Sequence, residues 1–278
     1  MTETKDIHKT VRERYGERAK SGSCCSTGTN SCCGSSPSVS KKLGYSEQEL
    51  RSIPEGADLG LGCGNPTAMA SLQPGETVVD LGSGAGIDCF LAADLVGETG
   101  HVIGVDMTAA MIDRARENAL KNGIDNVEFR LGEIEHLPVS DGTIDAVISN
   151  CVVNLSPDKP QVFSEVYRSL KPGGRLMISD IVRLKQLPEA ITKSVEAYVG
   201  CVAGASLKDD YLGMIEGAGF RDVEVVSERT FDAALPTSGN AKIVFDGQEV
   251  DPSELGMTPD MVCDLAGSMA SISVRAFK

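Results

Sequence analysis

The sequence contains no tryptophan and only three histidines among its 278 residues. The histidines are scattered at His8, His101 and His136, without H-x-x-x-H or H-x-E spacing, which leaves a zinc hydrolase or a Ser-His-Asp hydrolase with little support. No apolar run approaches the ~18 residues of a membrane-spanning helix. The segment Met1–Lys20, rich in Lys, Arg and Glu, contains no apolar signal-peptide core. We therefore expect a cytoplasmic protein with no membrane partner.

Basic residues are also few in comparison with acidic ones. Lys and Arg number 26 against 40 Asp and Glu, which gives a formal net charge of −14. Phosphate backbones would be repelled by this charge, so we expect no nucleic-acid partner. The composition, 41% hydrophobic and 24% charged, is that of a globular chain long enough to bury a large core, which excludes a disordered protein.

Cysteine is abundant by contrast, with nine residues. An odd number in a reducing compartment argues against a disulfide scaffold and favours thiol chemistry or the binding of a soft ion. Adjacent cysteines lack the C-x-x-C spacing of structural zinc sites. Four of the nine form two such adjacent pairs: Cys24, Cys25, Cys32 and Cys33.

Both pairs lie in a segment of small polar residues, 21–40, which is too poor in apolar side chains to pack. A charged stretch with a helical pattern, Ile7–Lys20, precedes it. We interpret the small-polar segment as a mobile, thiol-bearing arm. The predicted organisation is a Cys-rich N-terminal arm over residues 1–50, followed by one domain over residues 51–278.

Apolar and amphipathic runs alternate from Thr77 onward. Because strands that alternate with helices of this length form βαβ units, the pattern predicts an α/β fold, doubly wound around a mostly parallel sheet. The predicted strands are Thr77–Leu81, Val102–Asp106, Val127–Leu131, Ile144–Ser149 and Leu176–Ile181. The predicted helices between them are Ile87–Val96, Thr108–Lys121 and Lys159–Leu170.

The remaining sequence predicts a turn over Leu170–Arg175 and helices on the substrate side within residues 187–218. A strand at Val223–Phe231 comes next, then a polar insertion over residues 232–270 and a last strand at Ser271–Phe277.

A glycine-rich loop follows the first of these strands. Gly82 and Gly84 allow the backbone to adopt positive φ and to approach a ligand, which would also face the N–H groups of the next helix. Asp106 lies 20 residues after Gly86, where a carboxylate can accept hydrogen bonds from both ribose hydroxyls. Asp80 would repel a pyrophosphate but would pair with an amino-acid ammonium. The spacing is Gly-x-Gly-x-Gly rather than the dinucleotide Gly-x-Gly-x-x-Gly, so we predict an adenosyl ligand of another kind.

The segments Asp80–Gly86, Gly132–Pro138 and Leu170–Gly174 together resemble class I S-adenosylmethionine-dependent methyltransferases over about residues 75–231. This resemblance implies a Rossmann-like sheet of seven strands, the last antiparallel, and S-adenosylmethionine as cofactor. It implies that Asp80 holds the methionyl end and Asp106 the ribose. The other cofactor-binding residues that it implies are Gly82, Ser83, Gly84, Met107, Ile134, Glu135 and Asn150.

Three further cysteines occupy places that favour substrate binding. Cys63 lies in a glycine-flanked loop, Cys151 follows the fourth strand, and Cys201 lies in a helical stretch of small residues. Cys151 and Cys201 are also compatible with simple packing, as buried free cysteines often are. If the three meet, they suit a soft, pyramidal, three-coordinate centre such as trivalent arsenic.

The thiol segments resemble those of arsenite methyltransferases over about residues 45–231, in Gly62–Gly64, Ile87–Cys89, Asp106–Thr108, Ser149–Leu155 and Gly200–Cys201. The resemblance implies that Cys63, Cys151 and Cys201 bind trivalent arsenic, and that a cysteine nearer the N-terminus takes part in thiol–disulfide steps. It also implies a thiol reductant such as glutathione or thioredoxin. Which of the four N-terminal cysteines acts is not fixed by the resemblance. Cys89 is predicted to pack, and Cys263 has no context that suggests a role.

These observations lead to the hypothesis that the enzyme transfers methyl groups from S-adenosylmethionine to thiol-bound arsenite. Its partners would then be arsenite or thiol conjugates of arsenite. Two alternatives remain open on the sequence. One is a carbon or oxygen methyltransferase of a quinone precursor or another small molecule. The other is a thiol protein that binds arsenic without turnover.

Overall fold

A computed structural model of the protein describes residues 2–20, 39–186, 204–230, 243–245, 248–250 and 267–278. Its helices are α1 (Thr2–Lys20), α2 (Val39–Lys42), α3 (Glu47–Ser52), α4 (Pro66–Met69), α5 (Ile87–Val96), α6 (Ala109–Asn122), α7 (Lys159–Ser169) and α8 (Lys208–Gly217), with a 3₁₀ turn at Val153–Leu155. Its strands are β1 (Thr77–Leu81), β2 (His101–Asp106), β3 (Val127–Leu131), β4 (Ile144–Asn150), β5 (Leu170–Arg183), β6 (Arg221–Thr230), β7 (Ile243–Phe245), β8 (Gln248–Val250) and β9 (Met269–Phe277).

Seven of these strands form one sheet, in the order β3-β2-β1-β4-β5-β9-β6. The first five strands in this order, from β3 through β2, β1 and β4 to β5, are parallel to one another. Strand β9 is antiparallel to its two neighbours, β5 and β6. The expected doubly wound fold with an antiparallel last strand is therefore confirmed. The strand order reverses between β1 and β4, and a sheet of this kind has its ligand crevice at such a reversal.

The predicted turn over Leu170–Arg175 was wrong, because these residues belong to β5. Ile144 pairs with Leu170 and Ala146 pairs with Arg175, so β5 advances five residues while β4 advances two. Gly173 has a φ of +80° within this stretch. The Lys-Pro-Gly-Gly segment is thus accommodated as an irregularity at the start of a long strand.

The core lies on both faces of the sheet because neighbouring residues of a strand point to opposite sides. On β1, Val79 packs with Phe163 of α7 on one face, and Val78 packs with Phe90 of α5 on the other. All four side chains are buried. The amphipathic and apolar helices predicted from the sequence therefore cover the sheet on both sides.

Several sequence predictions lie outside the described residues. They include residues 187–203 of the substrate-side helices, most of the 232–270 insertion, and the cysteines Cys24, Cys25, Cys32, Cys33, Cys201 and Cys263. Within the insertion, the structure describes the antiparallel pair β7 and β8. Among the described helices, none is both long enough and apolar enough to cross a membrane.

We expect substitution of Leu176 by alanine to lower the free energy of unfolding by about 2–5 kcal/mol, since it removes a large apolar side chain from a site that cannot collapse fully. Leu176 is completely buried in the middle of β5. Urea denaturation measures the change. Leu120→Ala on α6 is the matched control: its side chain is 84% exposed, so the loss should stay within about 0.5 kcal/mol. Equal losses in the two variants would contradict this description of the core.

Candidate functional site

The glycine-rich loop connects β1 to α5 at the carboxyl edge of the sheet. Gly82 and Gly84 have φ values of +67° and +53°, a region that disfavours other residues. A Cβ atom on Gly82 would lie 2.4 Å from the Val152 side chain, whereas a Cβ on Gly84 would meet no described atom within 4 Å. The loop is therefore tightly packed at Gly82 and open towards a cavity at Gly84.

Asp106, at the end of β2, is joined directly to this loop. Its carboxylate accepts hydrogen bonds from the backbone N–H of Gly84, at 3.0 Å, and of Thr108, at 2.8 Å. Burial raises the pKa of Asp106 in spite of these donors. The acid that the sequence places after the second strand thus lies beside the loop, as an adenosyl-ribose site requires.

Two buried polar groups show that the cavity fits a cationic, polar ligand. Ser83 Oγ is buried and has no hydrogen-bond partner in the described part of the chain. Asp80 is buried and accepts a hydrogen bond from the Cys89 thiol at 3.2 Å. Burial, and then the neighbouring Asp88, raise the pKa of Asp80 well above its usual range. A bound ammonium group would favour the charged form of this carboxyl.

All nine predicted cofactor residues line one cavity at this edge. They are Asp80, Gly82, Ser83, Gly84, Asp106, Met107, Ile134, Glu135 and Asn150. The residues alone predicted a ligand site only for the glycine-rich loop and Asp106. The other cofactor-binding residues were implied by the resemblance to methyltransferases. Their arrangement fits S-adenosylmethionine, with Asp80 and Asp106 available to its amino and ribose groups.

Helix α1 also contributes to the cavity, which the sequence did not predict. His8, Val11 and Tyr15 line it. His8 Nε2 lies 3.1 Å from Glu135 Oε1, and Arg12 donates to Glu133 at 3.1 Å. The signal that was missed is an apolar stripe at Ile7, Val11 and Tyr15, spaced by four residues in an otherwise charged helix.

The structure brings two of the three predicted arsenic ligands together. The Sγ atoms of Cys63 and Cys151 and a carboxylate oxygen of Asp180 all lie within 4.8 Å of one another. Cys151 also lines the cofactor cavity, and Cys63 donates its thiol hydrogen to the Ser179 carbonyl at 3.3 Å. Cys201 lies outside the described residues. One of the two thiols thus lines the cavity, and the other lies within 4.8 Å of it.

Asn150 fixes the loop that carries Cys63. Its side-chain oxygen accepts from the Cys63 N–H at 2.9 Å, and its Nδ2 donates to the Gly64 carbonyl at 2.8 Å and to Asp88 at 3.1 Å. A Cβ on Gly62 would lie 2.7 Å from this Nδ2, so the close approach requires glycine there. Asn150 therefore both lines the cavity and positions a thiol, and only the first role was expected.

Asp180 is the functional candidate that the sequence analysis missed. It is completely buried and accepts hydrogen bonds from Asn154 Nδ2 and the Ile181 N–H, each at 2.8 Å, and from the Tyr211 hydroxyl at 3.1 Å. Burial raises the pKa of Asp180 to about 6. Its signal in the sequence is a single acidic residue inside the apolar run Leu176–Ile181, where a strand crossing the core would carry none.

The remaining described cysteine, Cys89, is buried in the core beneath the loop, among the side chains that pack α5 against the sheet. Burial raises the pKa of its thiol well above the usual range, and the neighbouring Asp80 raises it further. A thiol that stays protonated is a poor nucleophile and a poor ligand.

Comparison with known proteins is consistent with this geometry. Residues 72–219 match a family described as "Methyltransferase domain". The arsenite methyltransferase of Halobacterium salinarum is 54% identical over 229 residues, which cover 79% of this chain and 59% of that protein. The arsenite methyltransferase of Aquipseudomonas alcaligenes is 37% identical over 242 residues, which cover 82% of this chain and 67% of that protein. The chain therefore spans about three fifths to two thirds of the length of these relatives.

A solved structure is similar as well: CrArsM, an arsenic(III) S-adenosylmethionine methyltransferase from Chlamydomonas reinhardtii. It is 32% identical, with a TM-score of 0.62, and the match covers 88% of this chain and 75% of that chain. The family match spans more than half of the sequence, and the second relative is covered over two thirds of its length. The chain therefore belongs to the methyltransferase domain family and, within it, to the arsenite methyltransferases.

Proposed function

We propose that this chain transfers methyl groups from S-adenosylmethionine to arsenite held by Cys63, Cys151 and Cys201, giving methylated arsenicals for detoxification. The observation that carries the proposal is the pair of buried thiols beside the cofactor cavity. The Sγ atoms of Cys63 and Cys151 are within 4.8 Å of each other, and Cys151 also lines the cavity. Thiolates are the ligands that select soft centres such as trivalent arsenic.

Arsenite enters by exchange of ligands at these thiols. Each thiol forms an As–S bond, and its hydrogen leaves with a displaced hydroxyl group as water. Arsenite is largely uncharged at neutral pH, so the acidic surface of the protein does not repel it. Because the two thiols are buried, the bound arsenic is shielded from competing water and small thiols.

The nine cavity residues would hold the cofactor, with Asp80 available to its amino group and Asp106 to its ribose. When bound, S-adenosylmethionine supplies a methyl group on a positively charged sulfur. The chain orients the acceptor, which converts a bimolecular collision into a fixed geometry. Trivalent arsenic has a lone pair and no proton to lose, so the acceptor needs no general base.

The position of the thiols favours this function over the two alternatives. A methyltransferase acting on a quinone precursor has no need for a thiol beside the cofactor, whereas here Cys151 lies in the cavity wall. A protein that only binds arsenic has no need for a cofactor cavity next to its thiols. Both features are accounted for by methyl transfer to arsenic.

Arsenic is formally pentavalent after methyl transfer, and two electrons from thiols return it to the trivalent state for a further methyl group. We assign this step to two of the four cysteines Cys24, Cys25, Cys32 and Cys33, which give up two electrons and their thiol hydrogens and form one disulfide. A thiol reductant such as glutathione or thioredoxin then reduces that disulfide. The cytoplasmic location expected from the sequence would supply such a reductant.

Substitution Asp106→Asn should weaken S-adenosylmethionine binding about tenfold or more. An amide NH2 group, which only donates, replaces one carboxylate oxygen that accepts a hydrogen bond from the loop or from the ribose. Isothermal titration calorimetry measures the affinity, and a thermal melt shows whether the variant is folded. Asp94→Asn, on the exposed side of α5, is the control and should bind like the native protein. Unchanged affinity in a folded Asp106→Asn protein would remove Asp106 from the cofactor site.

Substitution Cys151→Ser should lower methyl transfer to arsenite by about 100-fold or more, because a displaced acceptor loses the fixed geometry. Binding of S-adenosylmethionine should not change. The assay follows a labelled methyl group from the cofactor to arsenite, with Cys263→Ser as the matched cysteine control.

The same assay with a quinone precursor separates the alternatives. Label on arsenite alone supports the proposal. Label on the quinone precursor alone supports the first alternative, and arsenic binding without any labelled product supports the second. Native turnover in Cys151→Ser would exclude Cys151 as an arsenic ligand.

Replacement of all four N-terminal cysteines by serine should leave the first methyl transfer unchanged and slow the later turnovers, since only these require reduction of arsenic. A single-turnover measurement, followed by a multiple-turnover measurement with the same thiol supply, separates the two phases. If later turnovers keep the native rate, these cysteines have no part in the reaction.

A further inference from the structure

We infer that Asp180 selects arsenicals that retain a hydroxyl group after Cys63 and Cys151 have bound the arsenic, by accepting a hydrogen bond from that hydroxyl. The inference rests on the proposed function for the identity of the substrate. Coordination of arsenic by three thiols does not by itself require a carboxylate beside them, and this role accounts for Asp180.

The position of Asp180 carries the first step. Its carboxylate oxygen lies within 4.8 Å of both thiol sulfurs, and the residue is completely buried. An arsenic atom bonded to both sulfurs would therefore lie close to this oxygen. Carboxylate oxygen is not the soft ligand that trivalent arsenic selects, so Asp180 is expected to interact with what arsenic carries rather than to replace a thiol.

The hydrogen bonds of Asp180 carry the second step. Asn154 and the Ile181 N–H donate to Oδ1, and the Tyr211 hydroxyl donates to Oδ2. The backbone N–H of Asn154 also faces this carboxylate. Each carboxylate oxygen offers about two acceptor positions, and among the described residues the Tyr211 hydroxyl is the one donor assigned to Oδ2, so Oδ2 is the oxygen available to a further donor. These contacts also hold the carboxylate in one orientation.

The chemistry of ligand exchange carries the third step. Arsenite has three hydroxyl groups; two thiols replace two of them, two molecules of water leave, and one hydroxyl remains on the arsenic. That hydroxyl is a donor beside a buried carboxylate, and hydrogen bonds to a charged acceptor are stronger than neutral ones. The thiol of Cys201 then replaces this hydroxyl, with loss of a third water. Asp180 thus acts on the species bound by two thiols.

Phenylarsine oxide distinguishes this role from a structural one. Its hydrate has only two hydroxyl groups, so binding to two thiols leaves the arsenic with its phenyl group and no donor. Asp180 should therefore contribute to the affinity for arsenite and not to the affinity for phenylarsine oxide.

The test uses the full chain with Cys201→Ser and the four N-terminal serine substitutions, so that the remaining hydroxyl cannot be displaced by these thiols. In this background, Asp180→Asn should weaken arsenite binding about tenfold or more and leave phenylarsine oxide binding unchanged. Equilibrium dialysis with arsenic quantified by mass spectrometry gives both affinities. Asp145→Asn, a carboxylate that pairs with Lys171 away from the thiols, is the matched control and should change neither affinity.

Unchanged arsenite affinity, or an equal loss for both arsenicals, would overturn the role of Asp180. If Asp180→Asn does not fold, Asp180→Glu in the same background replaces it. The longer side chain keeps the charge but displaces the acceptor oxygen, so arsenite affinity should again fall while phenylarsine oxide affinity stays unchanged, and the same two outcomes would overturn the inference. These are binding measurements, so their outcome is independent of whether the labelled-methyl assay supports arsenite as the methyl acceptor.

Discussion

The side-chain amide of Asn150 holds the two parts of the site together. One end of this amide accepts from the N–H of Cys63, and the other donates to Gly64 and Asp88. The loop that carries the first thiol is therefore fastened to the end of β4, where Cys151 follows Asn150 directly. This amide therefore contributes to the distance between the two sulfurs, together with the hydrogen bond from the Ser271 hydroxyl to the Cys63 carbonyl.

Burial of acidic side chains is the second constraint on the site. Around the cavity, Asp80 and Asp88 are buried and Asp106 is half-buried, and removal from water raises the pKa of each. Close carboxyls in a poorly solvated place oppose one another's ionisation. A positively charged ligand relieves this cost, so cofactor binding is expected to stabilise the folded chain as well as to supply the reaction. The same carboxyls disfavour a pyrophosphate, which explains why this glycine loop fits a different cofactor.

The parts of the site that the sequence predicted are those within single strand–loop–helix units. The apolar runs and the glycine loop are local patterns, and they gave the strand Thr77–Leu81 and the helix Ile87–Val96 with their observed bounds. A role for Asp180 could not be predicted in the same way, because that role depends on its proximity to Cys63 in the fold. Cys63 lies 117 positions earlier in the chain. The contribution of α1 was missed for a similar reason: its few apolar residues can be recognised as a buried stripe only when the surface that they pack against is known.

The turn predicted at Leu170–Arg175 was wrong because glycine and proline indicate irregular backbone without indicating whether strand pairing continues through it.

Both ends of the segment with the four N-terminal cysteines are attached to the domain. The Ala19 carbonyl accepts from Arg114, and the Ser40 hydroxyl donates to Asp58. Whatever path the chain takes between these points, about twenty residues span at most ~70 Å, so no cysteine can move farther than ~35 Å from the nearer attachment. Confinement of this kind corresponds to an effective thiol concentration in the millimolar range. The protein would then carry its own local reservoir of thiol, whose concentration at the site does not fall when the protein is diluted.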